Sequence, residues 1–500
     1  MNENRNTVKL KRLGIDTYRE NIIFMRSDSH ICTAEGFTAL TRVLVTYKNK
    51  SIVATLNVVH SNLLSEGEVA LSEIAFDRLE ANETDEVYIS HLKSISSLGD
   101  VRAKMYRKKL SEEAFKRIIS DVTEGLYSDI ELAAFVSACS GDNLDLDEIT
   151  WLTEAMVESG TKINWNEKLI IDKHCIGGLP GNRTTPIVVS IIASAGLIIP
   201  KTSSRAITSP AGTSDTLDVI TNVNLPLETM KEVVKKENGC FSWGGSVDLS
   251  PADDILISVE RALDIDSEGQ MIASVLSKKA AAGSTHVVID IPVGKTAKVR
   301  SEESALKLEY IFKAVGKAIG VHVETIITDG SQPIGRGIGP ALEAMDILAV
   351  LRNEKNAPQD LKQRSIQIAA VMLELASKAE KGDGEKLATE ILETGKAWEK
   401  FYNICLAQGR FSEPEFAKYK LEIFSETEGV VKEIDNRRLA RIAKLAGAPK
   451  SSSAGVLFFS PLGTKIKKRQ ILFTVYAESE GELHYANEYL KSDNHILKIE

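Results

Sequence analysis

The chain has 500 residues, of which 43% are hydrophobic and 26% charged, and its formal net charge is −9. This length predicts two to four domains, the composition is typical of a soluble globular protein, and the negative charge argues against a nucleic-acid-binding surface because a polyanion would be repelled. Five scattered cysteines without metal-ligand spacing predict neither disulfides nor a metal site, and no apolar run is long enough for a membrane span, so we expect a cytoplasmic protein.

Residues 1–95 are predicted to form a β-rich domain. Two β-branched runs, Arg42–Tyr47 and Ile52–Val59, are separated by a short polar turn and predict a hairpin. The segment Val69–Phe76 is predicted to continue the sheet. We interpret the histidines of this region as surface or packed residues rather than ligands.

Residues 96–165 are predicted to form a helical lobe, with a contribution from about 251–282. Phe115, Ile118, Ile119 and Val122 share one helical face, and further apolar stripes of the same period follow until Gly160. We assign these stripes to the hydrophobic core.

Residues 166–410 are predicted to form a central α/β domain, and its segment Asp172–Leu217 is the densest chemical signal in the chain. A short apolar strand, Leu169–Ile171, precedes a loop with three glycines and the cations Lys173 and Arg183, and a helix over Ile187–Ala195 follows. Small residues, hydroxyls and a helix start together favour an anion-binding site. After the apolar run Leu197–Ile199 the pattern repeats, with hydroxyl residues and glycine crowded between positions 203 and 213. Neither half has the spacing of a P-loop or a dinucleotide-binding fingerprint.

Alternating strands and helices farther along the chain predict a mixed, largely parallel sheet. His286–Ile291 and Val321–Thr328 are the clearest strands, and Lys298 follows the first of them at the end where such sheets place ligands. Positions 341 to about 408 are helical by period. Residues 411–500 are predicted to form a compact α+β domain.

The motifs of the central segment resemble those of the thymidine/pyrimidine-nucleoside phosphorylase family. The matching residues are Lys173-His174-Cys175-Ile176-Gly177-Gly178, followed by Ser203, Arg205, Thr213 and Asp215. The segments SSRAITSPAGT, SKKAAAGSTHVVIDIPVG and GRGIGPALEA are most similar to the long branch, which includes the archaeal AMP phosphorylases. The resemblance covers about Val101 to the C-terminus. It implies a multidomain α/β fold with a small N-terminal β-barrel, a helical lobe that makes a dimer interface, a ligand cleft between lobes and a C-terminal α+β module.

The resemblance also implies roles for individual residues. Asp266 would donate a proton to the leaving base, and His174 would contact the sugar or base. Phosphate ligands would be Lys173, Gly178, Ser203, Arg205 and Thr213, although Arg205 could instead orient its loop. The implied substrate contacts are Ser204, Arg205, Ala206, Ile207, Thr208, Ser209, Ser274, Lys278 and Lys298. The partners would be inorganic phosphate as co-substrate and a nucleoside or nucleoside monophosphate, with no cofactor, no metal and a homodimer or larger homo-oligomer.

The implied substrate is a nucleoside 5′-monophosphate. The tyrosine and arginine of the short pyrimidine-nucleoside phosphorylases fall on Leu256 and Val259, which cannot donate side-chain hydrogen bonds, whereas Ser204–Ser209 matches the AMP phosphorylases residue for residue. The products would be free base and ribose 1,5-bisphosphate. One departure is Cys175, which stands where the family has serine; a thiol is a weaker donor, so phosphate affinity is expected to be reduced.

Three alternatives remain open from the sequence. The first is the thymidine phosphorylase reaction, which gives thymine and 2-deoxyribose 1-phosphate. The second is a phosphoribosyltransferase like that for anthranilate, for which Asp253-Asp254 is the only adjacent acidic pair near the motifs. The third is a non-catalytic nucleotide-binding protein. Cys175 as a nucleophile is disfavoured because no acyl-transfer pattern accompanies it.

Overall fold

A computed structural model describes residues 6–18, 20–206, 209–247, 249–265, 267–492 and 496–500. The chain divides into two compact units. The first runs to Tyr106 and also includes Ser120–Phe135, and the second comprises Arg107–Ile119 and Val136–Glu500.

Six strands of the first unit close into a barrel with the order β1-β5-β2-β4-β3-β6. Alternate residues of β3 and β6 are buried, as expected for strands with one face on a core. The predicted hairpin is confirmed, since Arg42–Tyr47 pairs antiparallel with the next strand. The strands are β1 (Thr7–Arg12), β2 (Ile22–Arg26), β3 (Arg42–Tyr47), β4 (Lys50–Val59), β5 (Glu68–Leu71) and β6 (Glu86–His91).

The prediction that the sheet continues through Phe76 is wrong beyond Leu71. A helix begins at Glu73 and buries Ala75, Phe76 and Leu79 on the barrel core, which is a helical spacing. The helices in this part of the chain are α1 (His30–Glu35), α2 (Glu73–Leu79), α3 (Leu98–Met105), α4 (Glu112–Thr123) and α5 (Asp129–Ala138).

Parallel strands form the centre of the second unit. Its strand order is β11-β10-β7, and an isolated parallel bridge between Ile170 and Ile198 leads on to the parallel pair β8-β9. The strands are β7 (Ile171–Cys175), β8 (Ile199–Ser203), β9 (Gly239–Trp243), β10 (His286–Val293) and β11 (His322–Asp329). The two motif strands lie two to four residues later than the apolar runs predict, because Asp172 and Lys201 form a buried ion pair and so can occupy strand positions.

Helices surround these strands and bury an apolar core that includes most of α7. The helix α6 packs against α10 and α11, which come from the 251–282 region. The helices are α6 (Leu146–Glu158), α7 (Thr184–Ser194), α8 (Thr213–Asp218), α9 (Leu227–Glu237), α10 (Pro251–Leu263), α11 (Glu268–Ala281), α12 (Glu302–Ala318), α13 (Pro340–Leu351), α14 (Gln359–Leu375), α15 (Gly384–Glu393) and α16 (Lys396–Ala407).

The C-terminal part of the second unit has its own apolar core, built from two small sheets and two helices. Its elements are β12 (Gly337–Ile338), β13 (Tyr419–Phe424), β14 (Gly429–Ile434), α17 (Asn436–Leu445), β15 (Gly455–Phe458), β16 (Lys465–Ile466), β17 (Ile471–Ala477), α18 (Glu480–Ser492) and β18 (Leu497–Ile499). The side-chain amide of Asn436 donates to the carbonyl of Gly330 at 3.1 Å, and its backbone N–H donates to Thr296 Oγ1 at 3.3 Å.

Within the described ranges, no helix combines the length and apolarity that a bilayer crossing requires.

Candidate active site

The sequence motifs meet at the carboxyl ends of the parallel strands. Cys175 ends β7, Ser203 ends β8, and Asp290 lies beside Cys175 in the pairing of β10 with β7. In open α/β sheets ligands bind at this edge. We call residues 176–183 the first loop and residues 204–212 the second loop.

Lys173 is the most unusual charge at this edge. Its side chain is 1% exposed, and its Nζ donates to Thr184 Oγ1 at 2.7 Å. No carboxylate of the described residues lies within ion-pair distance of it, and burial lowers its pKa. A buried ammonium without a carboxylate partner is costly unless an anion binds beside it. Thr184 begins α7, whose N-cap residue Arg183 makes no side-chain capping hydrogen bond, and the first N–H groups of a helix have no partner within it.

Two hydroxyls of the predicted phosphate set come from the neighbouring strand and helix. Ser203 Oγ is buried and has no hydrogen-bond partner among the described residues. Thr213 begins α8, and its Oγ1 accepts from Arg183 Nη1 at 3.1 Å. A buried hydroxyl without a partner is expensive, so Ser203 is suited to an added acceptor.

His174 is close enough to a buried cluster of charged residues to be affected by them. Asp172 is 0% exposed and is paired with Lys279 at 2.7 Å and with Lys201 at 3.2 Å. Burial lowers the pKa of Lys279, although the charge of Asp172 acts in the opposite direction. Burial and then the charges of Lys279 and Lys201 hold the pKa of His174 well below its ordinary value, so the imidazole is neutral.

Cys175 is a protonated thiol in this setting. Burial, followed by the neighbouring Asp290, raises its pKa to about 12. Asn182 Nδ2 donates to Cys175 Sγ at 3.3 Å and lies 3.4 Å from Asp290 Oδ2, while Thr328 Oγ1 donates to Asp290 Oδ1 at 2.6 Å. These contacts do not provide the thiolate that a nucleophilic role would require.

Gly178 has no room for a side chain. Its φ is +83°, and a Cβ would lie 2.5 Å from the backbone nitrogen of Lys298. The first loop therefore packs directly on the loop after β10, and it brings the backbone carrying Lys298 to the site.

Arg205 is engaged by carboxylates. Its guanidinium contacts Asp215 at 3.3 Å and Asp218 at 2.9 Å, and it lies 5.3 Å from the ring centroid of Trp243. Of the two roles open from the sequence, these contacts favour orientation of the second loop.

The remaining predicted site residues differ in exposure and in the partners that they already have. Ser204 and Ser209 are exposed, the latter donating to the carbonyl of Ala211, and the N–H of Ala206 is already donated to Asp215.

Ser274 is half-buried on α11, and Lys278 one turn later forms an ion pair with buried Asp253. Burial opposes the charge of Lys278, but the Asp253 carboxylate raises its pKa overall. Ile207, Thr208 and Asp266 lie outside the described residues.

Sequence reasoning missed three contributors. Thr184 carries only a hydroxyl, and nothing in its spacing marks it as the partner of Lys173. Lys201 is a single charged residue next to an apolar run, and the sequence gives no sign of its ion pair with Asp172. Glu343, whose Oε2 accepts from Arg183 Nε, lies in the GRGIGPALEA segment, and a single buried carboxylate in an apolar helix would have been its signal.

Metal ligation was the requirement of the phosphoribosyltransferase alternative. Asp253 is occupied by Lys278, and Asp254 is exposed on the next position of α10. The structure, over the ranges given above, contains no group of three His, Cys, Asp or Glu residues arranged to hold a metal ion.

The chain matches three family models in order. Residues 101–160 match the helical bundle domain of the glycosyl transferase family, 167–398 match its a/b domain, and 430–497 match the pyrimidine nucleoside phosphorylase C-terminal domain. Among solved structures, anthranilate phosphoribosyltransferases from Thermus thermophilus and Saccharomyces cerevisiae are similar in fold. Their TM-scores are 0.53 and 0.50 at 18% and 15% identity, and each match covers 98% of that chain and 62% or 63% of this one. The fold and the matched domains define a pentosyltransferase.

Relatives extend over the whole chain. A Hahella chejuensis protein named "Putative thymidine phosphorylase" is 53% identical over 99% of this chain and 98% of its own length. A protein of that name from Legionella pneumophila strain Paris is 52% identical over 98% and 95%, respectively. The chain belongs to the thymidine/pyrimidine-nucleoside phosphorylase family.

Proposed function

We propose that this enzyme cleaves an N-glycosidic bond with inorganic phosphate, and that its preferred substrate is a nucleoside 5′-monophosphate. The products are the free base and ribose 1,5-bisphosphate. The observation that carries the proposal is Lys173. Its side chain is fully buried and bonded to a hydroxyl, and no carboxylate of the described residues lies within ion-pair distance of it. It forms a binding position for an anion, with Ser203 Oγ as a further open donor.

Phosphorolysis requires little covalent chemistry of the protein. Lys173, Thr184, Ser203 and Thr213 can position and desolvate the attacking phosphate, while the positive charge of Lys173 stabilises the charge of the anion. Neutral His174 can donate a hydrogen bond to the sugar or base without adding a charge. Asp266 is proposed as the proton donor to the leaving base, a role that the resemblance to the family implies.

The 5′-phosphate preference rests on the second loop and on α10. Leu256 and Val259 are 6% and 8% exposed and offer no polar group to a pyrimidine. The hydroxyls of Ser204 and Ser209 are exposed beside the site and can turn toward a second anion. An anion site left empty forfeits several charge-assisted hydrogen bonds, so the matching nucleoside should react more slowly.

The test is release of free base, measured by chromatography, from AMP, CMP and UMP and from adenosine, cytidine, uridine and thymidine. Each substrate is incubated with and without phosphate, in the presence of a chelator. Faster phosphate-dependent cleavage of the monophosphates supports the proposal. Faster cleavage of thymidine or uridine would instead support the thymidine phosphorylase reaction, the activity in the names of its relatives. Nucleotide binding without base release supports the non-catalytic alternative. In a separate reaction without chelator, metal-dependent consumption of a phosphoribosyl diphosphate supports the transferase alternative.

A further inference from the structure

Arg183 joins the two loops of the site through three contacts. Its Nε bonds to Glu343 Oε2, its Nη1 donates to Thr213 Oγ1 at 3.1 Å, and its Nη2 donates to the carbonyl of Ala211 at 3.0 Å. Arg183 is the last residue of the first loop, and Ala211 and Thr213 stand at the end of the second. One planar guanidinium thus fixes the distance between them.

Glu343 is in turn held rigidly. It is 1% exposed in the first turn of α13, and it accepts from Thr216 Oγ1 at 3.1 Å and from the N–H of Gly339 at 3.2 Å. Burial raises its pKa, whereas the charge and hydrogen bond of Arg183 act in the opposite direction. A buried carboxylate with this many donors leaves Arg183 a single position.

The contact with Thr213 determines what its hydroxyl can do. A threonine hydroxyl has one hydrogen to donate and two acceptor positions. Because Arg183 occupies an acceptor position, the hydrogen must point elsewhere, and the nearby guanidinium makes it a better donor. Lys173 treats Thr184 in the same way, donating to its oxygen at 2.7 Å. Each of the two threonine hydroxyls is thus polarised by a cation, Thr184 by Lys173 and Thr213 by Arg183.

We propose that Arg183, fixed by Glu343, is a positioning residue that aims the Thr213 hydroxyl at the bound phosphate as a donor. Arg183 acts through Thr213 and does not itself need to contact the anion. The inference rests on the proposed function in one respect, the assignment of Thr213 as a phosphate ligand.

A double-mutant cycle separates this role from a merely structural one. The dissociation constant of inorganic phosphate is measured by calorimetry for Arg183→Met, Thr213→Val and the double variant, together with kcat and the KM for phosphate and nucleotide. Each single change should weaken phosphate binding about tenfold, the size of one charge-assisted hydrogen bond. The double variant should be no weaker than the worse single one, because both remove the same contact. Independent, multiplying effects, or unchanged affinity in Arg183→Met, would overturn the inference.

Removal of Arg183 leaves Glu343 buried and unpaired, so Arg183→Met could fail to fold. The variant Arg183→Met with Glu343→Gln removes both charges and replaces the first single variant in the cycle if that happens. Glu343→Gln alone should also weaken phosphate binding, because Arg183 loses its anchor. The matched control is Glu237→Gln, which neutralises another buried carboxylate, paired with Lys400. Glu237 ends α9 just before β9 begins and so lies toward the opposite end of the strands. This variant should bind phosphate as the wild type does, and an equal loss there would overturn the inference.

The two proposals fail in different ways. Base release by the wild type with independent effects of Arg183 and Thr213 refutes the positioning role alone. Phosphate binding with the expected coupling, but no base release from any substrate, refutes the proposed function alone. A wild-type protein that binds no phosphate refutes both.

Discussion

The first and second loops differ in composition and in electrostatics. Residues 176–183 include three glycines and no serine or threonine, whereas residues 204–212 include one glycine and three hydroxyl residues. A cation of the family motif lies beside the first loop and another lies within the second. The cation beside the first loop, Lys173, is buried without a carboxylate partner among the described residues, whereas Arg205 of the second loop is shared by Asp215 and Asp218. We therefore expect a motif cation to bind an anion where it has no carboxylate neighbour and to orient its loop where it has one, and the motif itself does not reveal which applies.

The largest effect on turnover is expected from Asp266, which belongs to neither loop. Asp266→Asn removes the proposed proton donor and should lower kcat by about 100-fold or more, while the phosphate dissociation constant stays unchanged. Steady-state kinetics and calorimetry measure the two quantities. A variant with wild-type turnover removes Asp266 from the mechanism.

Lys173→Met should weaken phosphate binding by about 10- to 100-fold, because one charge-assisted bond to the anion is lost. Its melting temperature without phosphate should be no lower than that of the wild type, since a buried, unpaired charge is replaced by an apolar chain of similar length. Differential scanning calorimetry with and without phosphate measures both. If Lys173→Met lowers the melting temperature and leaves phosphate affinity unchanged, Lys173 has a structural role and is not a phosphate ligand.

Arg205→Met should show the converse pattern. Loss of the guanidinium leaves Asp215 and Asp218 without their shared partner, so the melting temperature should fall, whereas phosphate affinity should change by only about threefold or less. The comparison with Lys173→Met uses the same two measurements. If Arg205→Met weakens phosphate as strongly as Lys173→Met, Arg205 is a ligand after all.

Cys175→Ser should tighten phosphate binding by roughly threefold to tenfold, because a hydroxyl donates a stronger hydrogen bond than a thiol. Asn182 Nδ2, now 3.3 Å from the sulfur, can donate to the new hydroxyl. The control is Cys240→Ser, a change at a buried cysteine on β9 away from the loops. Unchanged phosphate affinity in Cys175→Ser would show that position 175 does not contact the anion.

The smallest expected effect is a change in titration. Lys279→Met removes one of the positive charges that lower the pKa of His174, so that pKa should rise, while burial keeps it below the ordinary value. The imidazole should thus acquire a proton at a higher pH than in the wild type. Nuclear magnetic resonance of the labelled ring measures the shift, and a lower pKa in the variant would contradict the placement of Lys279 beside His174.

Periodicity predicts much of the fold because apolar spacing is a local property. The strand over His286–Ile291 and the hairpin of Arg42–Tyr47 with its successor follow from β-branched runs alone. The strands of the motif are displaced from their predicted positions, because Asp172 and Lys201 are charges whose burial depends on each other and on Lys279. Such compensation between distant positions leaves no local pattern.

The candidate site divides in the same way. Lys173, Ser203 and Thr213 could be selected from the motif and its resemblance, and they lie at the predicted edge of the strands. Thr184 and Glu343 could not be selected, because their contacts form only when the loops meet. Arg183 could be selected as a cation of the first loop, but its contact with Thr213 could not be predicted. The division of labour between Lys173 and Arg205 depends on the same three-dimensional information.

Asn436 connects the C-terminal part of the second unit to the loops that follow β10 and β11. By bonding to Thr296 and Gly330 at once, the first residue of α17 ties down the loops that leave β10 and β11, including the stretch on which Gly178 rests. Opening of these loops to solvent then requires the module to detach. Amide hydrogens of Asn436 and of these two loops should exchange with deuterium with a common free energy of opening, as members of one cooperative unfolding unit.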